Sequence, residues 1–273
     1  FHLKLSYYDL ISSIKGVLGM ALAVGEYKKE DIKGNEANTL PKVVFKYYKK
    51  YGNKRVAQRQ KKYGQWRAYT WEECYYNIKW FTLALMKLGL TREDRVGILG
   101  DPARHWYWTE VAVQVARAIA VPLFSDSISS EVEYILSHCE AKFVVVDDQE
   151  QVDKILEIRQ DLPHLQKCIF WDPKGLWGYD DPLLINFEEM VEIGKEEEKK
   201  KPGLFELKLQ EGKDDDLAVF CYSSGTTGLP KGGMLTHKNL MKCAEGLLQV
   251  IPFYEGDDIV NWMSPAWVAT HVI

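Results

Sequence analysis

Residues 222–232 read Tyr-Ser-Ser-Gly-Thr-Thr-Gly-Leu-Pro-Lys-Gly. Three glycines, four hydroxyl side chains and a lysine in so short a stretch suit the grip of an anion better than an acid–base step. Gly225, Gly228 and Gly232 admit backbone angles that other residues avoid, so main-chain amides can close on phosphate oxygens. Ser223, Ser224, Thr226 and Thr227 add hydroxyl donors. Lys231 brings a mobile positive charge that can follow a phosphate, and Pro230 stiffens its approach. The stretch is not a Walker A loop. Counted from Gly225, Pro230 occupies the second glycine position and Gly232 stands where Ser or Thr is needed, which disfavours a P-loop ATPase or GTPase.

Such a loop must be held by regular elements. Residues 217–221, Leu-Ala-Val-Phe-Cys, form a short apolar run that predicts a buried strand, and the periodicity of residues 237–250 predicts a helix. Strand, glycine-rich loop and helix are therefore expected in that order. The loop resembles the phosphate-loop signature of the acyl-adenylate-forming, or AMP-binding, superfamily, which contains acyl-CoA synthetases, luciferases and peptide-synthetase adenylation domains. Residues 234–240, Met-Leu-Thr-His-Lys-Asn-Leu, continue the likeness, while Gly233 stands where a small branched residue is usual. Residues 66–73, Trp-Arg-Ala-Tyr-Thr-Trp-Glu-Glu, are similar to the long-chain acyl-CoA synthetases in particular. Residues 264–268, Ser-Pro-Ala-Trp-Val, resemble the family's next motif, whose aromatic residue lines the acyl or adenylate pocket. That role falls to Trp267, the alternative being a core tryptophan. His105, Trp106 and Trp108 lie where the family has an Asn-x-x-x-Trp-type stretch. Asp101-Pro-Ala-Arg104 replaces the asparagine pattern there, and the aromatics read as core or interface.

The resemblance implies a two-step reaction: a fatty acid carboxylate attacks the α-phosphorus of ATP, then the thiol of CoA displaces AMP. Neither step needs a protein nucleophile; positioning and charge stabilisation suffice. It assigns the ATP phosphates to Ser223, Ser224, Gly225, Thr226, Thr227, Gly228 and Lys231, with Lys231 also stabilising charge in catalysis and the Ser223 hydroxyl helping to hold Mg²⁺. It also implies that residues 41–273 are the front part of an adenylation domain. The Tyr-Gly-x-Thr-Glu motif, the ribose-binding aspartate, the hinge and the small C-terminal domain with its lysine are not in this sequence. The chain is thus expected to be an incomplete portion of a long-chain fatty acid–CoA ligase that does not turn over alone. An aryl-CoA ligase, a luciferase-like enzyme, a peptide-synthetase adenylation domain or an inactive nucleotide-binding module are the alternatives.

The 273 residues, 46% hydrophobic, suffice for a sizeable core. A net charge of -4 gives no sign of a general nucleic-acid binder. Five scattered cysteines with no Cys-x-x-Cys pair fit a reducing, cytoplasmic setting without disulfides or a zinc site. Residues 1–40 carry an amphipathic apolar pattern that either packs on the body or touches a membrane surface peripherally. The basic run from Lys46 to Lys62 reads as a solvated face, with an anionic membrane or CoA contact as the alternative. A homodimer is left open.

Elsewhere the patterns predict helices over 40–51, 70–88, 105–118, 130–138 and 149–160. Strands are predicted over 56–58, 65–69, 95–99, 119–124, 142–146, 167–171 and 257–263. The fold class expected is α/β, with a mostly parallel sheet flanked by helices. Residues 172–216 read as less regular, with the charge run at 195–201 a solvated helix end or a surface excursion. Asp214 to Asp216 read as a polar strand entry, and His138 and His164 as structural histidines.

Overall fold

Runs such as Phe-Val-Val-Val at 143–146 have no polar face, so they can only form strands covered on both sides. The computed structural model shows this architecture and describes residues 37–223, 228–251, 254–261 and 263–271. Most of the apolar arm read over residues 1–40 lies outside the described residues, as do Ser224, Gly225, Thr226 and Thr227.

Helix α1 (Leu40–Tyr51) leads through a hairpin of β1 (Val56–Lys62) and β2 (Gln65–Thr70) into α2 (Trp71–Lys87). Then come β3 (Arg95–Leu99), α3 (Arg104–Val115), β4 (Ile119–Leu123), α4 (Ser129–His138), β5 (Phe143–Val146), α5 (Gln149–Ile158) and β6 (Lys167–Phe170). β7 (Leu184–Asn186), α6 (Phe187–Lys200), α7 (Leu204–Glu211), β8 (Leu217–Ser223), β9 (Lys231–Thr236) and α8 (His237–Val250) complete the series. The local signals behave as their chemistry requires. Tyr63 and Gly64 both take positive φ, at 51° and 79°, as a two-residue hairpin turn demands. Thr70 and Glu73 form a reciprocal capping box at the start of α2.

The sheet runs β7-β6-β5-β3-β4-β8-β9. All neighbours are parallel except β8 and β9, which are antiparallel. Side chains of α2, α3 and α6 cover one face, with Phe81 stacked on Phe187 at 4.2 Å; those of α4 and α5 cover the other. Gly194 lets α6 cross α2 closely, because a Cβ there would fall 1.8 Å from the Trp80 carbonyl oxygen.

Three expectations need correction. Residues 172–216 are more regular than read, since they contain β7, α6 and α7; the charge run is the end of α6, the first of the two readings given for it. The loop is followed by β9 before the helix, so it joins two antiparallel strands. Residues 257–261 form no strand. They lie on the surface, held by side chains: Asp258 pairs with Arg59, and Asn261 donates to the Tyr107 hydroxyl at 2.6 Å. The basic run is partly used in this way, since Lys50 and Arg55 both pair with Glu255. Exposed pairs of this kind add little each. Among the described residues no helix is long and apolar enough to cross a membrane.

The strand entry at β8 rests on one carboxylate. Asp216 is buried and accepts from Arg117 Nε and Nη2 at 2.9 and 2.8 Å and from the Lys213 amide at 2.8 Å. Its carbonyl receives the His237 amide at 3.2 Å, which ties β8 to the start of α8. Burial alone would raise the Asp216 carboxyl, but Arg117 and the Lys213 amide hold it below its ordinary value of 3.8. Its contribution is therefore complete above the unfolded value and is lost as pH falls through the lower folded one. Asp216→Asn leaves Arg117 without its anion and is expected to lower unfolding free energy by about 3 kcal/mol at neutral pH in urea titration. The gap between variant and parent should close as the titration is repeated at pH values below 3.8.

Candidate phosphate-binding site

The antiparallel pairing of β8 with β9 decides where the loop side chains go. Ser223 is paired with Lys231, so the two strands meet at the ends of the loop and the chain does not pass from β8 directly into a helix. Directly opposed residues share a face with Cβ atoms about 5 Å apart. Ser223 and Lys231 thus project from the same face at the base of the loop, and both residues are exposed. Among the described residues no carboxylate pairs with Lys231. Gly228 has φ +113°, a conformation a side chain would strain, as the glycine-rich reading requires.

On the opposite face Tyr222 is paired with Gly232. A Cβ on Gly232 would lie 3.1 Å from the Tyr222 ring, so this glycine serves close packing rather than an unusual backbone angle. Both legs of the hairpin are fastened to α4. The Tyr222 hydroxyl shares a hydrogen bond of 2.7 Å with His138 Nδ1, and the Tyr134 hydroxyl donates to the Pro230 carbonyl at 3.0 Å. Tyr134 and His138 stand one helical turn apart with rings 5.6 Å from each other. His138 is structural, as read from the sequence, but its role as a loop fastener was not visible there. Nothing local links residues 134 and 138 to 222 and 230; only the packing of α4 on the sheet does.

Trp267 is 60% exposed among the described residues. Its ring meets Phe124 edge-on at 6.4 Å. Ala120 of β4 pairs with Val219 of β8, and continuing that register sets Phe124 level with Ser223. Trp267 and the base of the loop therefore sit at neighbouring strand ends. His105, Trp106 and Trp108 are buried, in agreement with a core role. Burial also pushes the His105 ring down to about 3, so it stays neutral.

The carboxyl ends of β3 and β5 add an acidic crevice that sequence reading did not single out. Burial, with Asp148 beside it, pushes the Asp147 carboxyl up to about 6. Gly100 has no room for a side chain there, since a Cβ would meet Asp147 and the Trp171 ring at 2.8 Å. An open cavity of about 670 Å³ lies farther along the same edge, lined by Lys62, Tyr63, Asp148, Asp172 and Trp177. The order of strands separates it from the hairpin.

These contacts set the cost of changing the hairpin. Gly232→Val is expected to lose about 2 kcal/mol in urea unfolding. Gly233→Ala, whose Cβ would meet only the Cys221 carbonyl at 3.5 Å, should stay within about 0.5 kcal/mol of the parent. Tyr134→Phe should cost about 1 kcal/mol for its lost hydrogen bond.

Comparison with known proteins agrees with this geometry. A model of the AMP-binding enzyme family matches residues 45–273. The chain is 29% identical over 228 residues to the long-chain-fatty-acid–CoA ligase ACSBG2 of Xenopus laevis, covering 82% of this chain and 30% of that protein. It is 26% identical over 249 residues to the chloroplastic long-chain-fatty-acid–[acyl-carrier-protein] ligase AEE15 of Arabidopsis thaliana, covering 87% of this chain and 33% of that one. The crystal structure of the anthranilate CoA ligase AuaEII with anthranoyl-AMP superimposes with TM-score 0.55 at 27% identity, over 66% of this chain and 32% of that one. The chain thus spans about a third of each relative's length. With the family matched over residues 45–273, the chain belongs to the AMP-binding enzymes.

Proposed function

We propose that this chain supplies the phosphate-binding front of an enzyme that activates a long-chain fatty acid as its adenylate and transfers the acyl group to CoA. Residues 41–273 are then the front part of the adenylation domain. The observation that carries the reading is the Ser223–Lys231 pair at the base of a fastened hairpin. An exposed hydroxyl and an exposed ammonium without a carboxylate partner among the described residues suit the pyrophosphate end of ATP. Ser223 and Lys231 bind those oxygens, and Ser224, Gly225, Thr226, Thr227 and Gly228 complete the cradle. As the carboxylate attacks the α-phosphorus, negative charge gathers on the departing pyrophosphate, where the Lys231 ammonium opposes it. Mg²⁺, when bound, neutralises phosphate charge. Among the described residues no cluster of His, Cys, Asp and Glu is arranged to hold it, so the Ser223 hydroxyl and the phosphates themselves are the oxygens assigned to it. Trp267 is assigned a wall of the acyl pocket, beside Phe124.

The fatty acid and CoA assignments follow the activity that names ACSBG2; an acyl carrier protein, the acceptor that names AEE15, is the competing thiol. The test is fatty-acid-dependent exchange of labelled pyrophosphate into ATP, measured in the protein that carries these residues with the rest of the domain. Lys231→Ala should lower exchange about a hundredfold. Trp267→Ala should change the preferred acyl length while leaving the affinity for ATP in place. Exchange unaltered by Lys231→Ala would remove the loop from the reaction, and thioester formed only on the carrier protein would reassign the acceptor.

A further inference from the structure

Trp267 is assigned the acyl pocket, yet neither a strand nor a long helix carries it. The turn around it closes on itself. The Trp267 amide donates to the Ser264 carbonyl at 3.1 Å, and Thr270 Oγ1 donates to the Trp267 and Pro265 carbonyls at 2.6 and 3.2 Å. These bonds set the shape of the turn, not its place on the body. The Trp267 ring does little to set that place, being largely exposed, with an edge-on contact to Phe124 at 6.4 Å.

The place is set from α3. Asn261 Nδ2 donates to the Tyr107 hydroxyl at 2.6 Å, and His271 Nδ1 lies 2.7 Å from Glu110 Oε1. Tyr107 and Glu110 are three residues apart on one helix, so they stand one turn from each other on the same side. Residues 261 and 271 are thus both footed on α3, with Trp267 on the arc between them. The first foot is exposed and the second is buried: Glu110 and His271 are each 6% exposed. The buried pair is framed by two more side chains of the helix. Gln114 Nε2 donates to the same Glu110 oxygen at 3.2 Å, and the Trp106 ring meets the imidazole at 5.8 Å.

A buried carboxylate–imidazole pair is more than stability requires, because desolvation offsets much of the attraction and apolar residues of similar volume can hold a fold as well. What the pair supplies is direction, since a hydrogen bond weakens steeply as it bends. Burial by itself would lower His271, but Glu110 outweighs it and pushes the ring up to about 10. The imidazole therefore keeps a proton on Nδ1 for the carboxylate throughout the neutral range.

We propose that Glu110 and His271 are positioning residues: by fixing the turn to α3 they set where the Trp267 ring stands, and through it which acyl chains the site admits. Both are buried and act through the turn. The effect on acyl chains rests on the pocket role given to Trp267 above; the positioning of the ring does not.

The test separates the two. The chain is labelled with 5-fluorotryptophan, and the ¹⁹F line of Trp267 is identified by its loss in Trp267→Phe. In Glu110→Met/His271→Leu, whose apolar side chains fill the volume of the pair, the Trp267 line should move by more than its width while the Trp177 line stays. Glu110→Ala should move it too, with folding of both variants read by urea titration. Glu110→Gln, which keeps an acceptor for Nδ1, should hold the line near its parent position. An unmoved line in either folded release variant overturns the proposal, and so does a line displaced as far by Glu110→Gln. In the protein that carries these residues with the rest of the domain, Glu110→Ala should raise the KM for a long-chain fatty acid about tenfold, with kcat and the KM for ATP within about threefold of the parent. Added to Trp267→Ala, it should change the acid KM little further, because both act through one ring. A full additional rise there overturns the proposal, as does an acid KM moved by Trp267→Ala and not by Glu110→Ala. A displaced Trp267 line with the acid KM unmoved by either substitution overturns the pocket role of Trp267 alone.

Discussion

The antiparallel pairing of β8 with β9 is the constraint on which the site depends. A parallel sheet would send the chain from the loop straight into a helix. Here the chain turns back along β8, so Ser223 and Lys231 face each other and Tyr222 closes over Gly232. Ser223 and Lys231 are exposed on one face of the hairpin, and the other is packed and fastened by Tyr134 and His138. The loop can be rich in glycine and hydroxyls because its two ends are fixed by a helix and by a strand pair.

Buried charges hold the frame around that hairpin. Asp216, paired with Arg117, fixes where β8 begins, and its carbonyl receives the first amide of α8. His237 is pushed down to about 4 by burial, so its ring is neutral at physiological pH, and its Nδ1 accepts the Leu40 amide at 3.4 Å. That neutral ring contributes stability that is full above its unfolded value of 6.5 and falls as pH drops toward 4. His271 has the opposite sense. Beside Glu110 its contribution is complete below pH 6.5 and declines as pH rises toward 10. The two histidines favour the folded state over different ranges, and both lie next to strands that carry the site.

Much of this was legible where local chemistry is decisive. The capping box of Thr70 and Glu73, the helix over residues 237–250 and the strand over residues 95–99 all follow from residue type and spacing, and the structure has them at those places. β9 was not legible, because Lys-Gly-Gly-Met-Leu-Thr has two glycines and no strong β former beyond its last residue. It is a strand only because β8 offers an open edge. The reverse error occurred at residues 257–263, where alternation suggested a strand but residues 257–261 form none. In α6 the charge run drew attention from Phe187, Met190, Val191 and Gly194, which recur at helical spacing and are the residues buried there. The types of the phosphate-loop residues were readable in sequence, but the helix that fastens them, and the pairing of His271 with Glu110, exist only in three dimensions.

The central claim is that the hairpin grips the phosphate chain of ATP, and amide chemical shifts of the isotopically labelled chain test it most directly. Titration with ATP and Mg²⁺ should move the amides of residues 223–228 and 231, and titration with adenosine should leave them still. Equal shifts with adenosine, or ATP-dependent shifts confined to the cavity around Lys62 and Trp177, would contradict it.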